Sequence, residues 1–273
     1  MISVLMTSYN AQDYIVDAVK SILAQTDPDF ECIIIDDGST DDTIRIVKQF
    51  CDSRIRLIEA GRIGLARALN LGVRESRGEF IARHDADDLS HPRRFEIQKA
   101  AMRRFPGYSA VVSPLYAFYA EDVPHWPGFG LEKARTSLND VRKKLMLFNP
   151  VVHTSLFVRR DVMEKIRGYD ESRASQLDWD LYVRLYENGL RLGSLKAPVA
   201  AKRIHARQFF ERGARLRYVF DGVVLQRRAI RALGGGLVYH ALLPLWFAYR
   251  MLPHKVRMWV KRGYFSRRPG ARE

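Results

Sequence analysis

Short apolar runs and amphipathic segments alternate along the first hundred residues. The apolar runs are candidate strands and lie at residues 2–6, 30–35, 55–58 and 80–82. The segments between them carry apolar side chains three and four apart, the period of a helix, and lie at residues 12–25, 41–50 and 64–76. Strands and helices that alternate in this way form βαβ units. The pattern therefore predicts an α/β fold with a mostly parallel central sheet flanked by helices.

The pattern continues less regularly after residue 100. Further helices are predicted at residues 93–104, 161–166 and 178–188, and further strands at residues 110–119 and 151–159. Residues 121–137 are rich in proline, glycine and aromatic side chains and predict a long loop. Long loops in compact domains are often functional.

Composition places the chain among globular proteins, and its charge is unevenly distributed. The 273 residues are 47% hydrophobic, which excludes a wholly disordered chain, and the formal net charge is +14. Residues 1–201 hold 28 basic and 28 acidic side chains, whereas residues 202–273 hold 17 basic and 3 acidic ones. Residues 1–201 are thus neutral, and the whole excess of positive charge lies in the last quarter of the chain. This distribution argues against a uniformly basic nucleic-acid-binding protein.

Three groups of carboxylates follow apolar strands or precede helices. The acidic groups are Asp36 with Asp37, Asp85 with Asp87 and Asp88, and Asp178 with Asp180. Ligands of open α/β sheets bind outside the carboxyl ends of the strands, where the first two groups are predicted to lie. Clustered carboxylates repel unless a cation compensates them, and oxygen ligands suit Mg²⁺ or Mn²⁺. The alternative is that the aspartates only cap turns and helices.

Several motifs occur in an order that resembles the family 2 glycosyltransferases of the GT-A fold. They are residues 3–10, Asp36-Asp37-Gly38-Ser39, residues 64–70, Asp85-Ala86-Asp87-Asp88, Asn149-Pro150-Val151-Val152-His153, residues 168–171 and Asp178-Trp179-Asp180-Leu181. The resemblance spans residues 2 to about 205. It implies an inverting transfer of a sugar from a nucleoside diphosphate to an acceptor hydroxyl, with a UDP-sugar favoured.

The same resemblance implies a domain division. Residues 1–205 would be the catalytic domain, with a nucleotide-sugar half at about 1–100 and an acceptor half at 101–205. The resemblance ends near residue 205, and the basic charge and helical spacing of residues 206–273 predict a helical, basic C-terminal segment.

Four residues are implied to bind the nucleotide. Thr7 and Tyr9 would lie against the base and ribose, and Asp37 would accept a hydrogen bond from the uracil imide N–H. Arg67 would approach the base or the diphosphate. Simple packing for Tyr9 and a solvated helix face for Arg67 are the alternatives. Asp36 is expected to support the turn that Gly38 permits.

The Asp-x-Asp motif is implied to hold the metal and the donor sugar. Asp87 would ligate Mg²⁺ or Mn²⁺ directly, and Asp85 would bind the ribose hydroxyls or reach the metal through water. Asp88 would orient the donor sugar. His205, which follows the last predicted core strand, is a further candidate metal ligand, although a lone histidine is more often not one.

The resemblance also implies which residues meet the acceptor, and most of them lie at the start of the helix predicted at residues 178–188. Asp178 would be the general base, although Leu177 replaces the glutamate that usually precedes it in the family. His153 and Trp179 are candidate acceptor contacts, with a hydrogen-bonded structural histidine and a core tryptophan as alternatives. Asp180 is four residues before Arg184, a spacing that allows an ion pair. The chain lacks the Gln-x-x-Arg-Trp motif of processive synthases, which favours addition of a single sugar.

The basic C-terminal segment is expected to meet a membrane surface. Aromatic and aliphatic side chains stand beside Lys and Arg in residues 237–262, a composition that suits an interfacial helix at an anionic bilayer. The run at residues 237–252 is too short to span a bilayer. We expect a cytoplasmic protein at the inner face of the membrane, acting on a glycan or polyprenyl-linked acceptor. The alternatives are a helical cap on the core or a dimer contact.

Two other functions are compatible with parts of the sequence. A sugar nucleotidyltransferase also has an α/β fold and acidic metal sites, but it usually needs a glycine-rich basic loop after the first strand, which residues 7–10 do not provide. A nucleic-acid-binding protein could use the Arg-rich segment, but it leaves the aspartates unexplained. The Gly-x-Gly-x-x-Gly turn of dehydrogenases is absent.

Overall fold

A computed structural model describes residues 1–119, 126, 137–205, 215–252 and 256. Its strands, numbered along the chain, are β1 Ile2–Ser8, β2 Phe30–Asp36, β3 Ile55–Glu59, β4 Phe80–Asp85, β5 Leu89–Ser90, β6 Ala110–Val112, β7 Tyr116–Tyr119, β8 Asn139–Asp140, β9 Phe157–Arg159, β10 Leu192–Ser194 and β11 Ala200–Ile204. Within the described residues they form an eight-stranded sheet, β3-β2-β1-β4-β9-β6-β10-β8, and a three-stranded sheet, β5-β11-β7.

Helices cover both faces of the large sheet and form the described part of the C-terminal segment. They are α1 Ile15–Leu23, α2 Thr43–Lys48, α3 Leu65–Glu75, α4 Arg94–Arg104, α5 Arg142–Leu145, α6 Arg160–Lys165, α7 Leu177–Glu187, α8 Arg215–Ala232, α9 Leu237–Ala241 and α10 Leu243–Met251. The predicted α/β architecture is confirmed. No helix in the described ranges combines the length and apolarity that crossing a bilayer requires.

The first four strands pair in parallel and bring their carboxyl ends together. β1 lies between β2 and β4, so Ser8 pairs with Asp36 and Thr7 pairs with Asp85. Alternate side chains of β1 enter different cores: Leu5 packs on the side of α3, and Val4 packs on the side of α1. This arrangement gathers polar groups from separate parts of the sequence at one sheet edge.

Two predicted strands are wrong in extent. Residues 110–119 divide into β6 and β7, which belong to different sheets, because Pro114 cannot donate to a ladder and the N–H of Ser113 is bonded to the Ser155 hydroxyl. In residues 151–159 only β9 is a strand, and His153–Ser155 forms a 3₁₀ turn. The predicted loop 121–137 lies outside the described residues except at positions 126 and 137.

The predicted ion pair between Asp180 and Arg184 on α7 is confirmed, at 2.7 Å. Asp180 is fully buried and forms a second ion pair with Arg228 of α8, with 2.8 Å between Arg228 Nη1 and Asp180 Oδ1. Arg228 extends further to Glu187 at the end of α7. One buried carboxylate therefore fastens the C-terminal segment to the helix that carries Asp178.

Replacing Asp180 by alanine is expected to lower the free energy of unfolding by about 2–3 kcal/mol, since it leaves two partly buried arginines without their shared partner. Glu187→Ala removes an exposed partner of Arg228 and should cost under about 1 kcal/mol. Urea denaturation of both variants measures the difference. Equal losses for the two variants would show that Asp180 is not the main link.

Candidate active site

The Asp36-Asp37-Gly38 turn closes β2 with a dense set of hydrogen bonds. Asp36 accepts from the Ser8 hydroxyl at 2.9 Å and from the backbone N–H and hydroxyl of Ser39 at 2.7 and 2.6 Å. Gly38 has a φ of +79°, and a Cβ on it would meet the Arg62 backbone nitrogen at 3.0 Å. Asp36 and Gly38 thus shape the turn, as the sequence predicts.

Asp37 points into the loop that precedes α3. Its Oδ1 accepts from the backbone N–H groups of Ile63 at 2.8 Å and Gly64 at 2.7 Å. Its Oδ2 accepts from Arg62 Nη1 at 3.0 Å. Two backbone donors therefore orient the carboxylate, and a side chain holds the remaining oxygen.

Tyr9 provides an aromatic surface beside Asp37. The Arg62 guanidinium carbon lies 3.5 Å from the centre of the Tyr9 ring, a close cation–π stack. Sequence reasoning did not select Arg62, because its position depends on the turn geometry of residues 60–64. Asp37, Tyr9 and Arg62 form a slot with an aromatic face and an acceptor at its side.

Asp85 is paired with a buried arginine. Arg83, 1% exposed, donates to Asp85 Oδ1 and, at 3.4 Å, to the Thr7 hydroxyl. Burial acts to raise the pKa of Asp85, but Arg83 and other nearby cations outweigh it and hold that pKa below its usual value. Alternation along β4 places Arg83 and Asp85 on the same side, a signal that could have identified Arg83 from the sequence.

Asp87 contacts His205, the further candidate metal ligand. His205 Nε2 lies 2.9 Å from Asp87 Oδ2, and its ring packs on Tyr14 with centres 4.5 Å apart. Burial raises the pKa of Asp87, and repulsion from Asp85 raises it further, although His205 acts to lower it.

Asp88 is placed differently from its neighbours. It is 1% exposed and accepts a hydrogen bond from the Arg203 backbone N–H at 3.0 Å. Burial and the charges of Asp85 and Asp87 raise its pKa well above the usual value. In this structure Asp88 ties the Asp-x-Asp turn to β11.

The residues present fit a divalent ion that takes some of its ligands from the protein and the others from a bound substrate. In the described part of the chain, no group of three or more His, Cys, Asp or Glu side chains could hold a metal by itself. Asp87 and His205 supply one carboxylate and one imidazole close together. Mg²⁺ commonly takes one or two carboxylates and completes its shell with water and substrate phosphates.

Asp178 stands at the first turn of α7. Its Oδ2 accepts a hydrogen bond from the Asn149 side-chain amide, and its Oδ1 accepts from the Trp179 backbone N–H at 2.8 Å. Burial raises the pKa of Asp178, although both hydrogen bonds act to lower it. Asn149 is a contact that sequence reasoning left out of the site, although its motif was noted.

His153 is held by a tyrosine. Its Nε2 is 2.9 Å from the Tyr169 hydroxyl. Burial lowers the pKa of His153 to about 3, helped by the charge of Arg83, so the ring is neutral at pH 7. Burial also raises the pKa of Tyr169 above its usual value.

Two candidate residues take the alternative roles noted for them. Trp179 is 2% exposed, its indole N–H donates to the Leu145 carbonyl at 3.1 Å, and the Arg250 guanidinium covers its ring. It packs in the core, which corrects its assignment as an acceptor contact. Arg67 is 65% exposed and pairs with Glu171 at 3.4 Å, on a solvated helix face.

Comparison with known proteins identifies the family. The model of glycosyl transferase family 2 matches residues 3–167. A Bacillus subtilis protein named as a glycosyltransferase, EpsE, is 31% identical over 239 residues, which cover 85% of this chain and 82% of that protein. Escherichia coli chondroitin synthase is 31% identical over 69% of this chain, which spans only 27% of that longer protein.

Solved structures share the fold at lower identity. S. aureus TarS 1–349 in complex with UDP-GlcNAc superposes with a TM-score of 0.66 at 17% identity, over 88% of this chain and 72% of that one. The mannosyltransferase PcManGT from Pyrobaculum calidifontis, in complex with GDP-Man and Mn²⁺, gives 0.62 at 21% identity, over 97% and 79%.

The family model covers more than half of the chain, and the EpsE alignment extends over most of both proteins. The sheet edge carries the acidic motifs on which the resemblance rests. The chain belongs to glycosyl transferase family 2 and is a glycosyltransferase with the GT-A fold.

Proposed function

We propose that this enzyme moves a single sugar, with inversion, from a nucleoside-diphosphate sugar to a hydroxyl of a glycan or lipid-linked acceptor, with Mg²⁺ or Mn²⁺ as cofactor. The pathway would be synthesis of a cell-surface polysaccharide. The name of the chondroitin synthase relative supports a polysaccharide product.

One observation carries the proposal: parallel pairing of β1, β2 and β4 gathers Tyr9, Asp37 and Asp85 at one edge of the sheet. Residues 149–154 connect this edge to α7, because the Asp85 N–H donates to the Thr154 hydroxyl at 3.1 Å and the Asn149 side-chain amide donates to Asp178. The donor would lie along the carboxyl ends of β1, β2 and β4, and the acceptor would approach from α7.

The chemistry assigned to Asp178 is removal of the proton from the acceptor hydroxyl. A carboxylate whose pKa is raised by burial is a stronger base than an exposed one. The acceptor oxygen would then attack the anomeric carbon on the face opposite the leaving diphosphate, which inverts the configuration. A divalent ion held by Asp87 and His205 would supply charge neutralisation for the diphosphate.

A UDP-sugar is the favoured donor. Asp37 Oδ2 is an acceptor beside the aromatic face of Tyr9, and a uracil ring offers a matching N–H donor. The TarS neighbour was solved with UDP-GlcNAc, whereas the mannosyltransferase was solved with GDP-Man. A panel of UDP-, dTDP- and GDP-sugars tests the choice by thermal stabilisation and by metal-dependent hydrolysis. Stabilisation by GDP-sugars alone would contradict it.

The C-terminal helices are proposed to bind an anionic membrane surface. Leu237, Val238 and Leu245 are 86%, 72% and 67% exposed on α9 and α10. Exposed apolar side chains within residues 202–273, which hold 17 basic and 3 acidic residues, suit the interface of an anionic bilayer. A lipid-linked acceptor would be presented at such a surface.

The double variant Leu237→Glu, Leu245→Glu is expected to weaken co-sedimentation with phosphatidylglycerol vesicles by about tenfold or more, because it loses apolar insertion and adds repulsion. Leu115→Glu, at a leucine that is 60% exposed on the catalytic body, is the matched control and should change nothing. Unchanged sedimentation of the double variant would contradict the membrane proposal.

A further inference from the structure

Arg62 occupies the slot in which the proposed function would place the base. Its planar guanidinium stacks on Tyr9 at 3.5 Å, and its Nη1 donates to Asp37 Oδ2 at 3.0 Å and to the Asp37 carbonyl at 3.2 Å. A uracil ring is likewise planar and carries an in-plane N–H donor. The guanidinium and the base would therefore use the same two contacts, stacking on the Tyr9 ring and donating a hydrogen bond to Asp37.

Backbone N–H groups hold Asp37 in place, whereas the Arg62 side chain, among the described residues, is free of such contacts with the loop of Tyr9 and can move. Asp37 Oδ1 is committed to the N–H groups of Ile63 and Gly64, and the Ala60 N–H donates to the Asp36 carbonyl at 2.9 Å. Asp37 itself is only 9% exposed, whereas the Arg62 side chain is 59% exposed. Arg62 can leave the slot without unpacking the core or disturbing the loop.

We propose that Arg62 is a built-in competitor of the nucleobase: it covers Tyr9 and Asp37 Oδ2 and must swing away before the donor binds. This inference rests on the proposed function, since it takes the Tyr9–Asp37 slot as the base site. Arg62 then sets nucleotide affinity, because any base must displace it from Tyr9 and Asp37 before it binds. It acts as an affinity-determining residue outside the diphosphate and metal site.

The size of the effect follows from the contacts. An exposed cation–π stack and a partly exposed ion pair together favour the covered state by about tenfold. The apparent affinity of a ligand falls by the fraction of protein that is competent to bind. Removing the guanidinium is therefore expected to tighten base binding by about three- to tenfold.

The experiment is calorimetric titration of uridine into the full chain and its Arg62→Met variant. Uridine is neutral and carries no phosphate, so it reports the base slot alone. Arg62→Met should bind uridine about three- to tenfold more tightly, and Arg62→Lys, which lacks the planar group, should also bind more tightly. Arg45→Met is the matched control, since Arg45 is exposed and paired with Asp42 but has no ring contact in the described structure.

Unchanged or weaker uridine binding by Arg62→Met would overturn the inference. Weaker binding of UDP by Arg62→Met, with uridine binding unchanged, would also overturn it, because Arg62 would then be a phosphate contact. A second substitution separates this failure from failure of the proposed function. Tyr9→Ala should weaken uridine binding in the Arg62→Met background, where no guanidinium competes for the ring. If it does so while Arg62→Met binds no more tightly, only the competitor role is wrong; if it has no effect, the base site is elsewhere and both proposals fall.

Discussion

Replacing Asp178 by asparagine is expected to lower the rate of sugar transfer by about a thousandfold, since general-base catalysis contributes about 10²- to 10⁴-fold. Asparagine keeps the size of the side chain and an oxygen acceptor for the Trp179 N–H, so the fold and donor binding should persist. Initial rates of transfer and the dissociation constant of UDP measure the two effects separately.

The pH profile gives a second signature of this base. The proposed base would act as the carboxylate, so activity should fall as the pH falls through the pKa of Asp178, which burial raises above its usual value. The residual activity of Asp178→Asn should lack that acidic limb. Asp140→Asn, at an exposed aspartate paired with Arg142, is the control and should behave as the native enzyme. Full transfer activity in Asp178→Asn would remove it as the base.

Asp87→Ala is expected to weaken UDP binding in the presence of Mn²⁺ by about 100-fold. Loss of groups that only support a metal ligand typically costs about 10- to 100-fold, and Asp87 is proposed as a direct ligand. The fold should tolerate the change, because Asp87 carries buried charge close to Asp85 and Asp88 and its removal relieves repulsion.

The metal provides the control for this second prediction. In EDTA the native enzyme and Asp87→Ala should bind UDP with the same weak affinity, since the difference between them requires the ion. His205→Ala should lower affinity in Mn²⁺ by a smaller factor, because Asp87 keeps its charge. Equal affinities of the native enzyme and Asp87→Ala in Mn²⁺ would exclude Asp87 as a ligand.

The first four strands and their acidic ends were predictable because each depends on local sequence. An apolar run followed by a polar turn specifies a strand and its carboxyl end, and parallel pairing then gathers Asp36 and Asp85 at one edge. The family and the fold class followed from the order of the motifs, and both are confirmed.

The contacts around these aspartates were harder to predict. Arg62 reaches Tyr9 only because the turn before α3 folds back over Gly38, and its stack depends on that tertiary geometry. Trp179 could face either the cleft or the core on a helix, and Leu145 and Arg250 place it in the core. Pro114 signals the break between β6 and β7. A prediction based only on the apolar pattern misses this break and joins the two strands.

Calorimetric titration of UDP into the full chain, in Mn²⁺ and then in EDTA, tests the central claim most directly. The claim is that the edge formed by Tyr9, Asp37 and the Asp85–Asp87 pair is a metal-assisted nucleotide-sugar site. It predicts saturable one-to-one binding in Mn²⁺ that weakens strongly in EDTA and on Tyr9→Ala. Absence of UDP binding in Mn²⁺, or binding that ignores both the chelator and Tyr9, would contradict it.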